Sequence, residues 1–139
     1  MKYKSLLFML MVLCFVYIFP QEDLYNAKEG SKMVFDKKYK LLSDMVESDY
    51  YPQESVEKII LEIEDFITYL ETGITDVNEI QKRLDQLTDF INDMQNEFFE
   101  NGSEIETVAR DSIGETIGYI LNYFTIDIDI ETAIRNRDW

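Results

Sequence analysis

The chain has 139 residues, 46% of them hydrophobic and 14% aromatic, which is enough for one domain with its own core and too apolar for a disordered protein. Its formal net charge of −15 disfavours a nucleic-acid partner, because phosphate binding requires a basic surface. The sequence contains no histidine, so it lacks the commonest general base and the commonest metal ligand.

The first twenty residues predict either a signal peptide or an N-terminal membrane anchor. Lys2 and Lys4 precede an apolar run from Leu6 to Phe19, which is short for a membrane-spanning helix and fits a signal peptide. No good small-residue cleavage site follows the run, which argues against cleavage and keeps an uncleaved anchor open as the second alternative. Either alternative leaves the rest of the protein exported or anchored in the bacterial inner membrane with the domain outside the cytoplasm. The expected division is a leader over 1–20, a polar tether over 21–34 and an acidic all-helical domain over 35–139.

The spacing of apolar residues in that domain predicts an all-α fold, a single compact bundle of about five helices. Helix one is expected over about Asp36 to Glu47, and helix two from Pro52 to about Leu70. Helix three is expected to begin near Asp76 or Val77 and to end before Asn101-Gly102. Helices two and three carry matching seams of apolar residues, and their short connection at Gly73 predicts an antiparallel hairpin.

Helix four is expected over about Glu104 to Phe124, because Ser103 and Glu106 have the spacing of a capping box. Gly114 and Gly118 stand four residues apart, which predicts close approach of another helix. The expected buried set of this helix is Ile105, Val108, Ala109, Ile113, Ile117, Ile120, Leu121 and Phe124. Beyond it, the isoleucines after Thr125 alternate as in a strand, but a short helix capped by Asp129 is favoured because no partner strand is evident.

Aromatic and charged residues at the helix ends are the candidates for partner binding. Tyr50 and Tyr51 either anchor an interface or staple the corner between helices one and two. Arg110 lies one turn after Glu106, which predicts an ion pair and leaves a structural or a partner-facing role open. The full candidate set is Asp49, Tyr50, Tyr51, Glu104, Glu106, Arg110, Arg137 and Trp139.

No motif predicts a catalytic site or a cofactor. Gly-x-Ser-x-Gly and glycine-rich phosphate loops do not occur in the sequence. Carboxylates between Glu97 and Asp111 keep one alternative open, a carboxylate-dependent metalloenzyme.

Three blocks of sequence resemble the bacterial domain-of-unknown-function family 5713. They are Ser48-Asp-Tyr-Tyr-Pro52, the stretch from Asn92 through Ser103-Glu-Ile-Glu-Thr-Val-Ala-Arg110, and the closing Arg137-Asp-Trp139. The resemblance covers about Tyr39 to Trp139 and implies a helical domain without an assigned activity. The apolar leader departs from typical members, which look cytoplasmic. Members often carry a histidine near the position of Asp85, which this chain lacks.

These observations favour a non-enzymatic acidic module that binds a basic protein partner, for which an immunity or inhibitor role is one concrete form. The negative charge predicts repulsion from anionic lipids, so membrane contact is expected only through the N-terminal apolar segment. A structural envelope protein is a further alternative. The sequence alone predicts no oligomeric state.

Overall fold

The structure, a computed structural model, describes residues 32–139, so the predicted leader and most of the tether lie outside the described residues. Residues 32–139 form an all-α bundle, as the sequence predicts. The helices are α1 (Ser43–Val46), α2 (Gln53–Leu70), α3 (Val77–Glu100), α4 (Thr107–Tyr123) and α5 (Ile130–Ala133). No helix in this part of the chain is long and apolar enough to cross a membrane.

The hairpin of α2 and α3 forms the centre of the bundle and is antiparallel, as predicted. Ser55 in the first turn of α2 donates a hydrogen bond of 2.6 Å to Glu97 near the end of α3. Further along α2, Glu62 accepts a hydrogen bond of 2.9 Å from Arg83 in the second turn of α3. The order of these contacts fixes the opposite directions of the two helices.

Local signals set the limits of the hairpin. Gly73 follows α2 with φ +85°, a left-handed conformation that glycine adopts without a steric penalty. The Asp76 side chain then caps α3 by accepting hydrogen bonds from the backbone N–H groups of Asn78 and Glu79. The apolar seams predicted along the two helices are buried, except for Ile60, which is partly buried, and Val77, which is 49% exposed in the first turn of α3 beside the connection. The buried seam residues are Val56, Ile59, Ile63, Phe66, Ile67, Leu70, Ile80, Leu84, Leu87, Ile91, Met94 and Phe98.

The helix predicted over Asp36 to Glu47 is wrong for most of its length, because only Ser43–Val46 is helical. Asp36 instead accepts a hydrogen bond from the backbone N–H of Lys38 in a tight turn. Leu42 has φ +50°, which breaks any helix at that point. Its side chain is fully buried and its N–H donates to the Thr116 hydroxyl of α4, so tertiary contacts override the local helical pattern.

Helix α4 begins three residues later than predicted and runs antiparallel to α3. The capping box does not form, because Glu106 is itself the N-cap and accepts from the N–H of Val108 at 3.1 Å. Ser103 is buried in the preceding turn. Val108 was wrongly expected in the core and is 49% exposed, whereas Phe124 is only partly buried. The other predicted members of the α4 core are buried.

The C-terminal segment forms the predicted short helix α5 rather than a strand, and the Asp129 side chain caps it. The segment then runs alongside α3 in the same direction. Gln81 donates to the carbonyl of Thr132 at 3.0 Å, and Gln95, four turns further along α3, donates to Asp138 at 2.6 Å. These bonds hold the end of the chain against the bundle and leave Trp139 partly buried.

Candidate functional site

The eight candidate residues separate into two groups at different places on the surface. Asp49, Tyr50, Tyr51, Glu104 and Glu106 lie where the chain turns into α2 and again into α4; we call this region the Tyr51 corner. Arg110, Arg137 and Trp139 lie in a groove between α4 and the C-terminal segment. Sequence spacing does not predict this separation, because both groups combine aromatic with charged residues.

Tyr51 connects the two turns of the Tyr51 corner. Its side chain is 4% exposed, and its ring packs edge-on against Phe98 with centroids 6.4 Å apart. The phenol O–H donates a hydrogen bond to the Glu106 carboxylate. Tyr51 therefore links the start of α2 to the start of α4, whereas the structural alternative considered from the sequence was a contact between helices one and two.

This hydrogen bond shifts both titrations. Burial raises the pKa of Tyr51, and the adjacent Glu106 carboxylate raises it further. The hydrogen bond from Tyr51 lowers the pKa of Glu106, and the backbone N–H of Val108 adds to this effect. Glu106 is thus a carboxylate at neutral pH. One of its oxygens accepts a hydrogen bond from the Tyr51 phenol, and the other accepts one from the backbone N–H of Val108 at the start of α4.

The remaining residues of the Tyr51 corner face solvent. Tyr50 is 49% exposed and packs edge-on against Tyr51, while Asp49 and Glu104 are exposed. The predicted ion pair between Glu106 and Arg110 does not form: Arg110 has no carboxylate within 4.0 Å among residues 32–139. Glu106 is instead occupied by a tyrosine that lies 55 residues earlier in the chain.

The groove between α4 and the C-terminal segment has a volume of about 680 Å³. Gly114 and Gly118 line it, and a Cβ atom built on either glycine would meet nothing within 4 Å. The expected close approach of another helix to these glycines is therefore wrong for residues 32–139. The glycines instead widen an open groove.

The charges in the groove are mixed. Arg137 pairs with Glu131 at 2.7 Å, and Asp111 and Glu115 lie along the same groove. The indole N–H of Trp139 is enclosed and finds no acceptor among the described residues. The lining contains both acidic and basic side chains, so the groove selects neither charge.

The geometry around Glu97 does not favour the metalloenzyme alternative. The Glu97 carboxylate accepts hydrogen bonds from Ser55 at 2.6 Å and from Lys58 at 2.9 Å. These two donors occupy the oxygens that a metal ion would need, and they lower the pKa of Glu97. Within residues 32–139, no three acidic or cysteine side chains gather in a metal-binding arrangement.

Asp85, the position near which family members often carry a histidine, has a structural partner here. Its carboxylate accepts hydrogen bonds from Arg135 at 3.0 Å and from Gln81 at 2.9 Å. Burial disfavours the charged carboxylate, yet these two donors outweigh burial and lower the pKa of Asp85. The contact ties the C-terminal segment to α3.

The sequence-based reasoning missed one surface, at the opposite end of α4 from the Tyr51 corner. We call it the Phe35 patch; it comprises Lys32, Met33, Val34, Phe35, Lys37, Lys38, Tyr39, Lys40, Tyr119 and Tyr123. Phe35 packs edge-on against Tyr123 with centroids 5.1 Å apart, and the rings of Tyr39 and Tyr119 stack at 3.7 Å. The available signal was the clustering of four lysines among apolar residues in an acidic chain.

The fold and these surfaces define a small all-α helical-bundle domain. The chain belongs to the family of unknown function DUF5713, whose model matches residues 35–139. This result confirms the resemblance drawn from the three sequence blocks. No curated protein and no solved structure matches the chain.

Proposed function

We propose that this protein is a non-enzymatic acidic binding module that captures a basic protein partner through the Tyr51 corner, outside the cytoplasmic membrane. An immunity or inhibitor protein for a basic partner is one concrete form of this function. The observation that carries the proposal is an excess of carboxylates at the corner that no cation of the described chain neutralises.

The carboxylates concerned lie on three separate elements. Asp49 and Glu104 belong to the corner and precede α2 and α4. Glu100 adjoins it at the end of α3, two residues after the Phe98 ring that packs against Tyr51, and all three carboxylates are exposed. None of them has a lysine or arginine within 4.0 Å among residues 32–139. Lys58, the lysine of this region, is engaged by Glu97 and Glu54. The corner therefore presents a negative potential that a basic surface complements.

Exposed aromatic rings accompany these charges. Phe99 is 72% exposed and Tyr50 is 49% exposed, and both flank the residues that Tyr51 connects. Aromatic side chains supply much of the binding energy at protein interfaces, because they bury a large area with little loss of side-chain entropy. In this proposal the carboxylates steer the partner and the two rings anchor it.

The proposed location depends on the apolar run from Leu6 to Phe19, which supports export or anchoring in the inner membrane. A cationic partner outside the cytoplasm would meet the domain directly. The run itself has no role in partner recognition in this proposal.

The test is crosslinking and affinity capture from the native host with the full chain, tagged near Lys28 so that the corner stays free. The corner variant combines Asp49→Asn, Glu100→Gln and Glu104→Gln. The control removes the same charge at exposed carboxylates elsewhere and combines Glu64→Gln, Asp93→Asn and Asp127→Asn. We expect a stoichiometric basic partner that dissociates with added salt, is lost from the corner variant and is retained by the control.

Two results would overturn the proposal. One is recovery of the same partner with equal yield from the corner variant. The other is the absence of any basic partner after crosslinking, when the protein is present at its normal level.

A further inference from the structure

We propose that the Phe35 patch is a lipid-facing surface that seats the domain on an anionic bilayer. This inference goes beyond partner capture and rests only on the membrane location that forms part of the proposed function. It also revises the expectation that the folded domain is repelled from anionic lipids, because that expectation used the net charge of the whole chain.

The first observation is the concentration of positive charge. Four of the six lysines between residues 32 and 139 fall within residues 32–40, which contain a single acidic residue, Asp36. All four lysines are exposed, and only Lys40 has a carboxylate within 4.0 Å among the described residues, at 3.7 Å from Glu47. The side chains of Glu64 and Glu71 border the patch beside Lys37, and Glu71 accepts the backbone N–H of Phe35.

The second observation is the exposed apolar and aromatic surface between these lysines. Met33 is 43% exposed and Val34 is 58% exposed, and the Tyr119 ring beside them is 36% exposed. The Tyr123 hydroxyl donates to the carbonyl of Val34 at 2.8 Å and fixes the backbone at that point. Tyrosine rings and short apolar side chains flanked by lysines are the composition that favours the membrane–water interface.

Distance explains why the acidic remainder of the molecule does not prevent this contact. Helix α4 has 17 residues and is therefore about 25 Å long, and the Tyr51 corner lies at its far end. Electrostatic interactions are screened within about 8 Å at physiological ionic strength. Lipid headgroups at the Phe35 patch thus experience the nearby lysines and the carboxylates that border them, Asp36, Glu47, Glu64 and Glu71, rather than those of the distant corner.

Chain connectivity favours a bilayer over other anionic surfaces. The stretch from Pro20 to Lys32 reaches at most about 40 Å when fully extended. A retained apolar run would keep the Phe35 patch within this distance of the bilayer. The competing occupant is a second copy of this chain, whose Tyr51 corner has the complementary charge.

The experiment uses the full chain in phospholipid vesicles, with Cys14→Ser and a fluorophore on Val34→Cys. Quenchers carried on the lipids report whether the label touches the bilayer. We expect quenching in vesicles containing phosphatidylglycerol and its loss in phosphatidylcholine alone or in high salt. A label on Asn96→Cys, in the last two turns of α3 near the Tyr51 corner, should stay unquenched in both kinds of vesicle.

Charge variants test whether the lysines of the patch cause the quenching, or whether the tether alone brings the label close to the bilayer. Lys37→Gln, Lys38→Gln and Lys40→Gln together should reduce quenching of the Val34 label to its level in phosphatidylcholine. The same three positions changed to arginine keep the charge and should keep the quenching. Equal quenching in both lipids, or quenching that survives the glutamine substitutions, would overturn the proposal.

Two further results would also overturn it and are distinguishable. An unquenched label whose fluorescence changes with protein concentration would assign the patch to a second copy of the chain. An unquenched label on protein that does not float with the vesicles would reject the membrane location itself, while leaving partner capture by the Tyr51 corner intact.

Discussion

The two ends of α4 are joined to the rest of the domain by different physical interactions. At the Tyr51 corner, a buried phenol donates to the Glu106 carboxylate, so a polar contact to a charged group closes the structure. At the Phe35 patch, Phe35 packs against Tyr39, Tyr119 and Tyr123, so apolar ring contacts close it. A hydrogen bond to a charged group therefore closes the corner, and packed rings close the patch.

The two ends also differ in the sign of the charge they expose. The corner exposes carboxylates that have no cation within 4.0 Å among residues 32–139, and the patch exposes four lysines with carboxylates at its border. A formal net charge of −15 hides this separation, because it sums over the whole chain. Local charge within one screening length, rather than the total, determines what each end attracts.

The largest effect is expected from truncating the ring that organises the patch. Phe35 is 8% exposed and contacts several rings, so Phe35→Ala should lower the free energy of unfolding by about 3 kcal/mol. Urea denaturation followed by circular dichroism measures this loss. Val34→Ala at the exposed neighbouring position should change stability by less than about 0.5 kcal/mol. Similar small losses for both variants would show that the rings do not hold this end.

A smaller loss of stability is expected at the corner, because the variant there removes one hydrogen bond rather than the packing of an aromatic ring. Tyr51→Phe keeps the packing against Phe98 and should lower the free energy of unfolding by about 1–2 kcal/mol. In a double-mutant cycle with Glu106→Ala, which removes the acceptor, the loss in the double variant should be smaller than the sum of the two single losses, since each removes the same contact. Tyr50→Phe serves as the control and should be nearly neutral. Additive losses would mean that the hydrogen bond contributes little.

The same contact predicts a dependence of stability on pH. The pKa of Glu106 is lower in the folded protein than its ordinary value, so its stabilisation is complete above the ordinary carboxyl pKa and is lost as the pH falls through the folded pKa. Wild type should therefore exceed Glu106→Gln in stability at pH 7, and the difference should vanish in acid. Denaturation curves across this range provide the measurement. A difference that does not shrink as the pH falls below the ordinary carboxyl pKa would contradict the assignment.

Local signals predicted the centre of the fold well. The seams of α2 and α3 repeat with helical spacing, and Asp76 and Asp129 act as the caps that their positions indicate. The failures occur where distant contacts decide the backbone. Leu42 adopts φ +50° while its N–H bonds Thr116, 74 residues away. No pattern within residues 36–47 contains that information.

The candidate surfaces show the same limit. Tyr51 and Glu106 were both candidates, but helical spacing predicted that Glu106 pairs with Arg110, four residues away. The actual partner of Glu106 is Tyr51, 55 residues away, which spacing cannot indicate. The net charge of the whole chain does not predict the Phe35 patch, because the sum contains no information on where each charge lies. Both errors arise from contacts and distances that only the folded chain defines.

The smallest effect is expected midway along α4, between its two ends. Gly114 lowers the helical propensity of α4, and a Cβ atom there would meet nothing within 4 Å. Gly114→Ala should therefore raise the free energy of unfolding by about 0.5–1 kcal/mol, and Gly118→Ala should do the same. Stabilisation would show that helical propensity alone determines the effect at these positions and that nothing packs against them. A loss of stability would show that the groove beside these glycines is filled in solution, so that the middle of α4 would have to be counted as a third contact surface.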